Sequence, residues 1–315
     1  MIKIQFKHNS VLLNESVNGL HIKDNGIYVD ATLGGGGHTQ KILSYLKNGH
    51  LYSIDLDSNS IKYNNDKFND YILNNKLTII KGNFRNLRNI LLKYNIHKID
   101  GIIYDLGVSS PQLDDPNRGF SYKLNSKLDM RMDQSQSLTA YEVINDWSYN
   151  DLVKIFFKYG NEHFAKSIAK KIVRRRDIKP IVNTVDLANL INSCIPYRIR
   201  KKRGFPAKKS FQAIRIAVND ELSSLKNSIN TAIDLLNPYG RIVVITFQPK
   251  EDSIVQHIFK ENSSYANIPR GLPIIPKEYK NKLRIITHKP ILPSQDELNF
   301  NHRSHSAKLR IAEKI

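Results

Sequence analysis

The first third of the chain alternates short apolar segments with helical patterns, and this alternation predicts an α/β domain with a parallel sheet. A leading helical pattern occupies residues 11–20, and a turn at 24–26 separates it from the first strand. The segment 99–105 is almost continuously apolar, as expected for a parallel strand buried on both faces. The pattern predicts strands at 28–30, 50–54, 77–81 and 99–105, with helices opening at Gln40 and covering about 60–68 and 87–92.

The alternation stops after about residue 112, and the pattern is helical from about Tyr141 to Leu236 with no convincing strand. Apolar residues recur at helical spacing over 163–176 and again over 211–227, which predicts one helix in each segment. The chain therefore resumes its α/β pattern after an all-helical insertion. The predicted domains are residues 1–114 and 221–315 for the α/β part and 115–220 for the insertion.

The α/β pattern returns near the end of the chain. A turn at 237–240 leads into a fifth buried strand at 241–247. Two late strands, at 283–288 and 307–312, could pair as a hairpin.

Acidic residues close three of the predicted strands: Asp30, Asp55 and Asp105. The carboxyl ends of parallel strands meet at one edge of a sheet, so these acids predict a polar rim where open α/β sheets bind ligands. Four glycines, 34–37, follow the first acid, and glycine allows a sharp turn that can lie against a ligand. The run is neither the G-x-G-x-x-G dinucleotide fingerprint nor a P-loop.

Each of these residues also has a plain structural interpretation. The glycines could form only a flexible turn. Asp55 is well placed to accept hydrogen bonds from ribose hydroxyls, but it could equally be a turn or helix-cap acid. For Asp57 the cap is the preferred interpretation. Phe84, just past the third strand, could stack on a flat base or belong to the core.

Composition narrows the class of partner. The chain has 315 residues, 40% of them hydrophobic, which is enough for one large or two ordinary domains. No segment approaches the ~18 apolar residues of a membrane span. Residues 1–8 lack an apolar signal-peptide region, and Cys194 is the only cysteine, so a reducing cytoplasm is expected and a cysteine-rich metal site is excluded.

The formal net charge of +19 favours a polyanionic partner, for which nucleic acid is the first choice. A surplus produced by compositional bias alone would be scattered along the chain. Here Arg198, Arg200, Lys201, Lys202 and Arg203 cluster around Ile199, and Lys208 and Lys209 follow Gly204 and Pro206. This clustering favours a phosphate-binding surface over an ordinary solvated one.

Several longer motifs are specific enough to indicate a family. The runs 100–115 and 128–133 are long and unusual. With 34–39, 118–121, 159–165, 211–219 and 306–314, in this order along nearly the whole chain, they resemble the bacterial rRNA small-subunit methyltransferase H family, also called MraW.

The resemblance implies a Rossmann-like class I methyltransferase domain with a helical inserted domain for RNA recognition. It implies an enzyme that uses S-adenosylmethionine to methylate N4 of one cytidine in the decoding centre of 16S rRNA, without a metal. The expected partner is 16S rRNA within the small ribosomal subunit, with no membrane, and a homodimer remains one option. Carried over position by position, the family's cofactor contacts fall on Gly36, Gly37, His38, Asp55, Phe84, Asp105 and Gln112, while Asp30 is added from the strand pattern alone.

The chain departs from the family pattern at a few positions. Gly35 stands where the family often has Arg, and Thr39 where Ser is usual. Gln248 and Pro249 replace a His and a Ser that could have touched the target base, and residues 301–305 also differ.

The expected chemistry rests on positioning. The N4 amine of cytosine is a poor nucleophile because its lone pair is delocalised into the ring. The hypothesis is that Asp105 and the carbonyls of 106–110 accept its N–H and turn the lone pair toward the methyl group. Methylation at C5 would instead need a thiolate, and Cys194, expected to be an ordinary buried cysteine, lies in the helical insertion. Two rival classes stay open, a non-catalytic RNA-binding factor and a nicotinamide oxidoreductase.

Overall fold

The computed structural model describes residues 10–203, 205–263 and 281–315, without the side chains of Lys202 and Arg203. Those two side chains, Gly204 and residues 1–8, on which parts of the sequence interpretation rest, lie outside the described residues. The chain forms two compact units. The sheet unit comprises residues 10–107, 222–263 and 281–315, and the helical unit comprises residues 108–203 and 205–221. The predicted boundaries lay at 114/115 and 220/221.

A seven-stranded sheet forms the centre of the sheet unit. Its order is β3-β2-β1-β4-β5-β7-β6, and the first five strands are parallel while β7 runs antiparallel to both of its neighbours. The strands are β1 Ile27–Asp30, β2 His50–Asp55, β3 Leu77–Lys81, β4 Ile99–Asp105, β5 Leu236–Thr246, β6 Leu283–Ile285 and β7 Lys308–Lys314.

The helices of the sheet unit cover both faces of this sheet, because successive strand side chains point to opposite faces. Val29 and Tyr104 belong to one apolar cluster, and their neighbours Tyr28 and Ile103 belong to the other. The helices are α1 Leu13–Leu20, α2 Gly37–Leu43, α3 Ser58–Lys67, α4 Asn69–Leu73, α5 Leu87–Leu92, α13 Glu221–Leu235, α14 Pro249–Ser263 and α15 Gln295–Phe300, with 3₁₀ turns at Phe84–Asn86 and Ser304–Ser306.

The helical unit has its own apolar core. In α9, Ile168, Ala169 and Ile172 are buried while Lys170 and Arg174 are exposed, as the predicted stripe requires. Its described residues form no strand, only one isolated bridge between Lys127 and Asn183. Its helices are α6 Ser110–Asp114, α7 Ala140–Asp146, α8 Tyr149–Lys158, α9 Ala165–Arg176, α10 Thr184–Ser193, α11 Tyr197–Arg203 and α12 Lys208–Asn219.

Three predictions about the elements need correction. The single helix predicted over 211–227 is two helices, because Asp220 adopts a left-handed φ of 47° between α12 and α13. Helix α2 begins at Gly37, three residues before the predicted Gln40. The predicted turn at 237–240 lies inside β5, where the pairing with β4 jumps from Leu236 to Arg241 and Tyr239 has a φ of 65°.

The late hairpin is confirmed, since β6 and β7 pair antiparallel. Its placement in the sheet is new information: β7 also pairs with β5 along six residues, so the last strand lies between two earlier ones. The fold class is therefore α/β with a Rossmann-like, mostly parallel sheet and a helical insertion, as predicted.

Candidate active site

The glycine turn after β1 depends on close packing by neighbouring side chains. Gly36 has a φ of 76°, and a Cβ there would lie 2.2 Å from Asn64 Oδ1 of α3. A Cβ on Gly37 would lie 2.0 Å from Ser10 Oγ. Glycine is thus required here by contacts within the protein, and these two positions do not by themselves indicate a ligand.

Asp55, at the end of β2, holds this turn in place. Its Oδ2 accepts hydrogen bonds from Gly34 N and Ser60 Oγ, both at 2.8 Å, and its Oδ1 accepts one from Asp57 N at 2.8 Å. Burial raises the pKa of the Asp55 carboxyl, and these hydrogen bonds oppose the rise. The side chain is half-buried, so Oδ1 keeps capacity for a further donor such as a hydroxyl.

The preferred interpretation of Asp57, a helix-capping acid, is confirmed. It is the N-cap of α3, and its Oδ1 accepts a hydrogen bond from Asn59 N at 3.0 Å.

Asp30 does not belong to the exposed rim, which corrects its expected place at the sheet edge. Its contact with the cofactor stays a prediction. Its residue is 1% exposed, and its two carboxylate oxygens accept from Thr32 N at 3.1 Å and Thr39 Oγ1 at 2.7 Å. The strand register explains this position. Asp30 is level with Ser53 and Ile103, so Asp55 and Asp105 lie two residues, about 6–7 Å, further toward the carboxyl edge.

Asp105, at the end of β4, has the most perturbed carboxyl of the edge. Its backbone N–H donates to Thr32 Oγ1 at 2.6 Å, which ties β4 to the glycine turn. Its Oδ2 lies 3.6 Å from Nδ1 of the buried His38. Its Oδ1 is buried and has no hydrogen-bond partner among the described residues. An acceptor in this condition is poorly solvated, and it suits a donor brought by a ligand.

The pKa of Asp105 is raised to about 8. Burial is the largest cause, and the nearby carboxylates of Asp30, Glu251 and Glu297 add to it by repulsion. Clustered perturbed carboxyls of this kind are typical of functional sites. The predicted convergence of acids is thus present, although Asp30 contributes from beneath the turn.

The sequence interpretation missed Glu251 and Glu297. Glu251 Oε2 accepts from Phe247 N at 2.9 Å and Gln248 N at 3.1 Å, at the start of α14. Glu297 Oε1 accepts from Leu12 N at 2.9 Å, while Ser294 caps its helix α15. A Glu three residues after a capping position was the available signal in both segments.

The departure at 248–249 from the family pattern has a structural role. Gln248 is 7% exposed, and its Nε2 donates to Glu251 Oε1 at 2.8 Å. Pro249 is the first residue of α14, a position that favours proline because its missing N–H is not needed there.

Phe84 follows β3 in a 3₁₀ turn and is half-buried. Its ring packs edge-to-face on Tyr104, with centroids 5.8 Å apart and an interplanar angle of 87°. The core interpretation is therefore supported by contact, and stacking on a base by its remaining exposed area stays a prediction.

Gln112 lies in the helical unit. Its Oε1 accepts from Ser109 N at 3.0 Å in the capping box of α6, and the residue is 7% exposed. Its role as a cofactor contact stays a prediction, as do those of Gly36, Gly37 and His38.

Cys194 is half-buried, where full burial was expected. Burial raises the pKa of its thiol, which disfavours a reactive thiolate. No group of three or more His, Cys, Asp or Glu side chains suited to a metal occurs within the described residues. In the same ranges, no helix is long and apolar enough to cross a bilayer.

Comparison with known proteins identifies the family. The model of the MraW methylase family matches residues 5–315. The chain belongs to the MraW methylase family. A relative from Limosilactobacillus fermentum, named ribosomal RNA small subunit methyltransferase H, is 53% identical over 311 residues and covers 99% of both chains. These matches confirm the predicted resemblance, and the MraW chain is a methyltransferase whose methyl donor is S-adenosylmethionine.

Two solved structures were also matched. An rRNA methylase from Streptococcus thermophilus is 12% identical with a TM-score of 0.43, and 98% of each chain is covered. A Streptococcus mutans protein solved in complex with SAH is 12% identical with a TM-score of 0.44, covering 98% of this chain and all of the other. Both TM-scores are too low for these similarities to decide anything about this chain.

Proposed function

We propose that this MraW family member transfers a methyl group from S-adenosylmethionine to N4 of a cytidine in the decoding centre of 16S rRNA. The family match and the name of its 53% identical relative support rRNA as the substrate. The observation that carries the proposed chemistry is the buried, unpartnered Oδ1 of Asp105 at the carboxyl edge of β4.

The residues at this edge fit the methyl donor. S-adenosylmethionine supplies an electrophilic methyl group on a positively charged sulfur, together with an adenosine. The carboxylates of Asp30, Glu251 and Glu297, which raise the pKa of Asp105, offer negative charge to a cation. Asp55 keeps acceptor capacity for ribose hydroxyls, and the half-buried Phe84 offers ring surface to an adenine.

The chain's own contribution to transfer is orientation and proton acceptance. Asp105 Oδ1 would accept an N–H of the cytosine amine and hold its lone pair toward the methyl group. The amine must lose a proton as it is methylated, and Asp105 can take that proton only as a carboxylate. Its pKa of about 8 leaves the group mostly protonated at neutral pH, so the positive charge of the bound methyl donor would have to favour the ionised form. The hydrogen bond from Asp105 N to Thr32 Oγ1 restrains the strand end that carries this group.

The target base must be unpaired or swung out to reach such an acceptor, which a single-stranded segment of rRNA permits. The net charge of +19 favours a substrate rich in phosphate. The proposed setting is the small ribosomal subunit in the cytoplasm, with the oligomeric state open.

The test is nucleoside analysis by mass spectrometry after incubation with methyl-labelled S-adenosylmethionine. Free 16S rRNA and assembled small subunits are compared as substrates. The expected product is N4-methylcytidine at one position. A label at cytosine C5 would assign a different reaction. If S-adenosylmethionine binds in calorimetry but neither substrate carries a labelled nucleoside, the protein is a non-catalytic factor. Binding of NADH in its place would indicate an oxidoreductase.

A further inference from the structure

One surface of the helical unit combines exposed aromatic rings with cations. We call it the aromatic–basic surface; it consists of Tyr197, Arg200, Lys201, Phe205 and Lys123. It is centred on α11, and the stretch 187–219 around it contains no acidic residue. Tyr197 is 70% and Phe205 51% exposed, which is unusual for rings of this size.

A series of ring contacts holds Phe205 in its exposed position. Phe211 is buried in the core, and its ring meets that of Tyr122 edge-to-face at 5.8 Å. Tyr122 in turn contacts Phe205 at 5.4 Å with an interplanar angle of 43°. Phe205 is therefore an anchored ring at the surface. Because its neighbours already restrict its motion, stacking of a ligand on it costs little conformational entropy.

Each exposed ring has a cation beside it. Lys123 Nζ lies 4.2 Å from the centroid of the Phe205 ring, and the Arg200 guanidinium lies 5.8 Å from that of Tyr197. Arg200 Nε is buried and has no hydrogen-bond partner within residues 10–203, 205–263 and 281–315. Lys201 is exposed on the same helix. Tyr197, Arg200 and Lys201 thus lie within α11, which is about 10 Å long, and Phe205 follows two residues after its end.

We propose that the aromatic–basic surface binds single-stranded RNA by stacking unpaired bases on Phe205 and Tyr197, while Arg200 and Lys201 contact phosphates. Aromatic stacking with interleaved cations is how proteins hold single strands without reading their sequence. In a duplex the base faces are already stacked, so these rings would have nothing to receive. The choice of RNA as the polyanion rests on the proposed function, while the absence of acids over 187–219 supports a polyanionic ligand independently.

The experiment measures binding of the full chain to a fluorescent single-stranded RNA by anisotropy, at several salt concentrations. Phe205→Leu and Tyr197→Leu remove a ring and keep an apolar side chain. Each is expected to weaken binding roughly 5- to 100-fold. The slope of affinity against salt should stay unchanged, since no cation is lost. Phe157→Leu removes another exposed ring of the helical unit and is expected to leave binding unchanged.

An RNA of the same length with abasic sites separates stacking from charge. Wild-type protein should bind it as weakly as a variant with both Phe205→Leu and Tyr197→Leu binds the intact RNA, and neither substitution should then weaken binding further. Equal binding of intact RNA by wild type and both Leu variants, or an equal loss on abasic and intact RNA, would overturn the proposal. Thermal unfolding of each variant identifies any general loss of folding, and Tyr197→Leu remains informative if Phe205→Leu unfolds.

Two further outcomes keep this inference apart from the proposed function. Ring-dependent RNA binding by a protein that transfers no methyl group would refute the proposed function alone. Methyl transfer to rRNA with ring-independent RNA binding would refute the stacking surface alone. Tighter binding to vesicles with anionic headgroups than to RNA, lost in the same Leu variants, would assign the surface to a membrane and overturn the proposal.

Discussion

The carboxyl edge of the sheet and the acid-free stretch 187–219 carry opposite charge, and the contrast shows how this basic chain is organised. At the sheet edge, Asp105 is surrounded by Asp30, Glu251 and Glu297, which together with burial raise its pKa. In the helical unit, cations lie beside exposed rings and no acid interrupts them over that stretch. A compositional surplus of Lys would produce neither arrangement. The two regions suit two kinds of ligand, a small cation and a polyanion.

The largest effect is expected at Asp105. Asp105→Asn keeps the shape of the side chain but removes the proton acceptor. The rate of methyl transfer should therefore fall at least ~100-fold, the usual contribution of a general base. Scintillation counting of methyl groups incorporated into rRNA measures it.

Asp57→Asn is the matched control, because asparagine caps a helix as well as aspartate does. Full activity of Asp105→Asn would remove this carboxylate from the mechanism and leave the acidic edge a structural feature.

The second-largest effect is expected in the glycine turn. Gly36→Ala places a Cβ against Asn64 at a left-handed φ, and we expect a loss of about 2–4 kcal/mol in the free energy of unfolding. Gly34→Ala has a similar φ of 50° but no atom closer than 3.8 Å, so its cost should be about 1 kcal/mol. Urea unfolding monitored by circular dichroism measures both. Equal costs would show that packing by α3 does not shape the edge.

The raised pKa of Asp105 also predicts a pH dependence of stability. Its carboxyl has a pKa of about 8 in the folded chain and about 3.8 when exposed. The folded state therefore binds the extra proton between these values, and the stabilisation present below about pH 4 is lost as the pH rises through 8. Asp105→Asn cannot ionise, so it should gain at least ~1 kcal/mol over wild type between about pH 5 and pH 8.5.

Thermal or urea unfolding of wild type and Asp105→Asn at both pH values tests this. The difference in unfolding free energy between the two proteins removes the contribution of the other titrating groups, which both share. A parallel pH dependence in the two proteins would place the carboxyl in a more polar environment than the structure shows.

The smallest effect concerns the basic stretch. Lys201→Gln should lower the slope of log affinity for single-stranded RNA against log salt by about 0.7, one counterion's worth for a single strand. Lys93→Gln, an exposed lysine of the sheet unit, should leave it unchanged. Titrations at several salt concentrations measure the slopes. An equal effect of both substitutions would mean that RNA binding depends on the net charge of the whole protein and not on the position of Lys201.

Much of the sheet was predictable because parallel strands read as uninterrupted apolar runs. The bounds of β3 and β4 were predicted correctly for this reason, helped by Lys76 and Gly82 around β3 and by Lys98 before and Asp105 at the end of β4. The break at Asp220 was not predictable by periodicity, since apolar spacing continues from α12 into α13. A left-handed aspartate leaves that spacing intact.

The site was predictable in its residue types and less so in its geometry. The strand pattern brought three acids to one edge, but only the register shows that Asp30 lies beneath the turn while Asp55 and Asp105 lie at the rim. Glu251 and Glu297 approach from α14 and α15, and no local pattern reports contacts between elements so distant in sequence.

The insertion also has a consequence for synthesis on the ribosome. Strand β4 pairs with β5, and Asn237 Nδ2 donates to Asp100 Oδ1 across 137 residues of chain. At ~5–20 residues per second, a nascent chain displays the unpaired edge of β4 for roughly 7–27 s before its neighbour emerges. The contiguous helical segment can form during that delay, while the apolar strands before it stay open to chaperones and to misassembly.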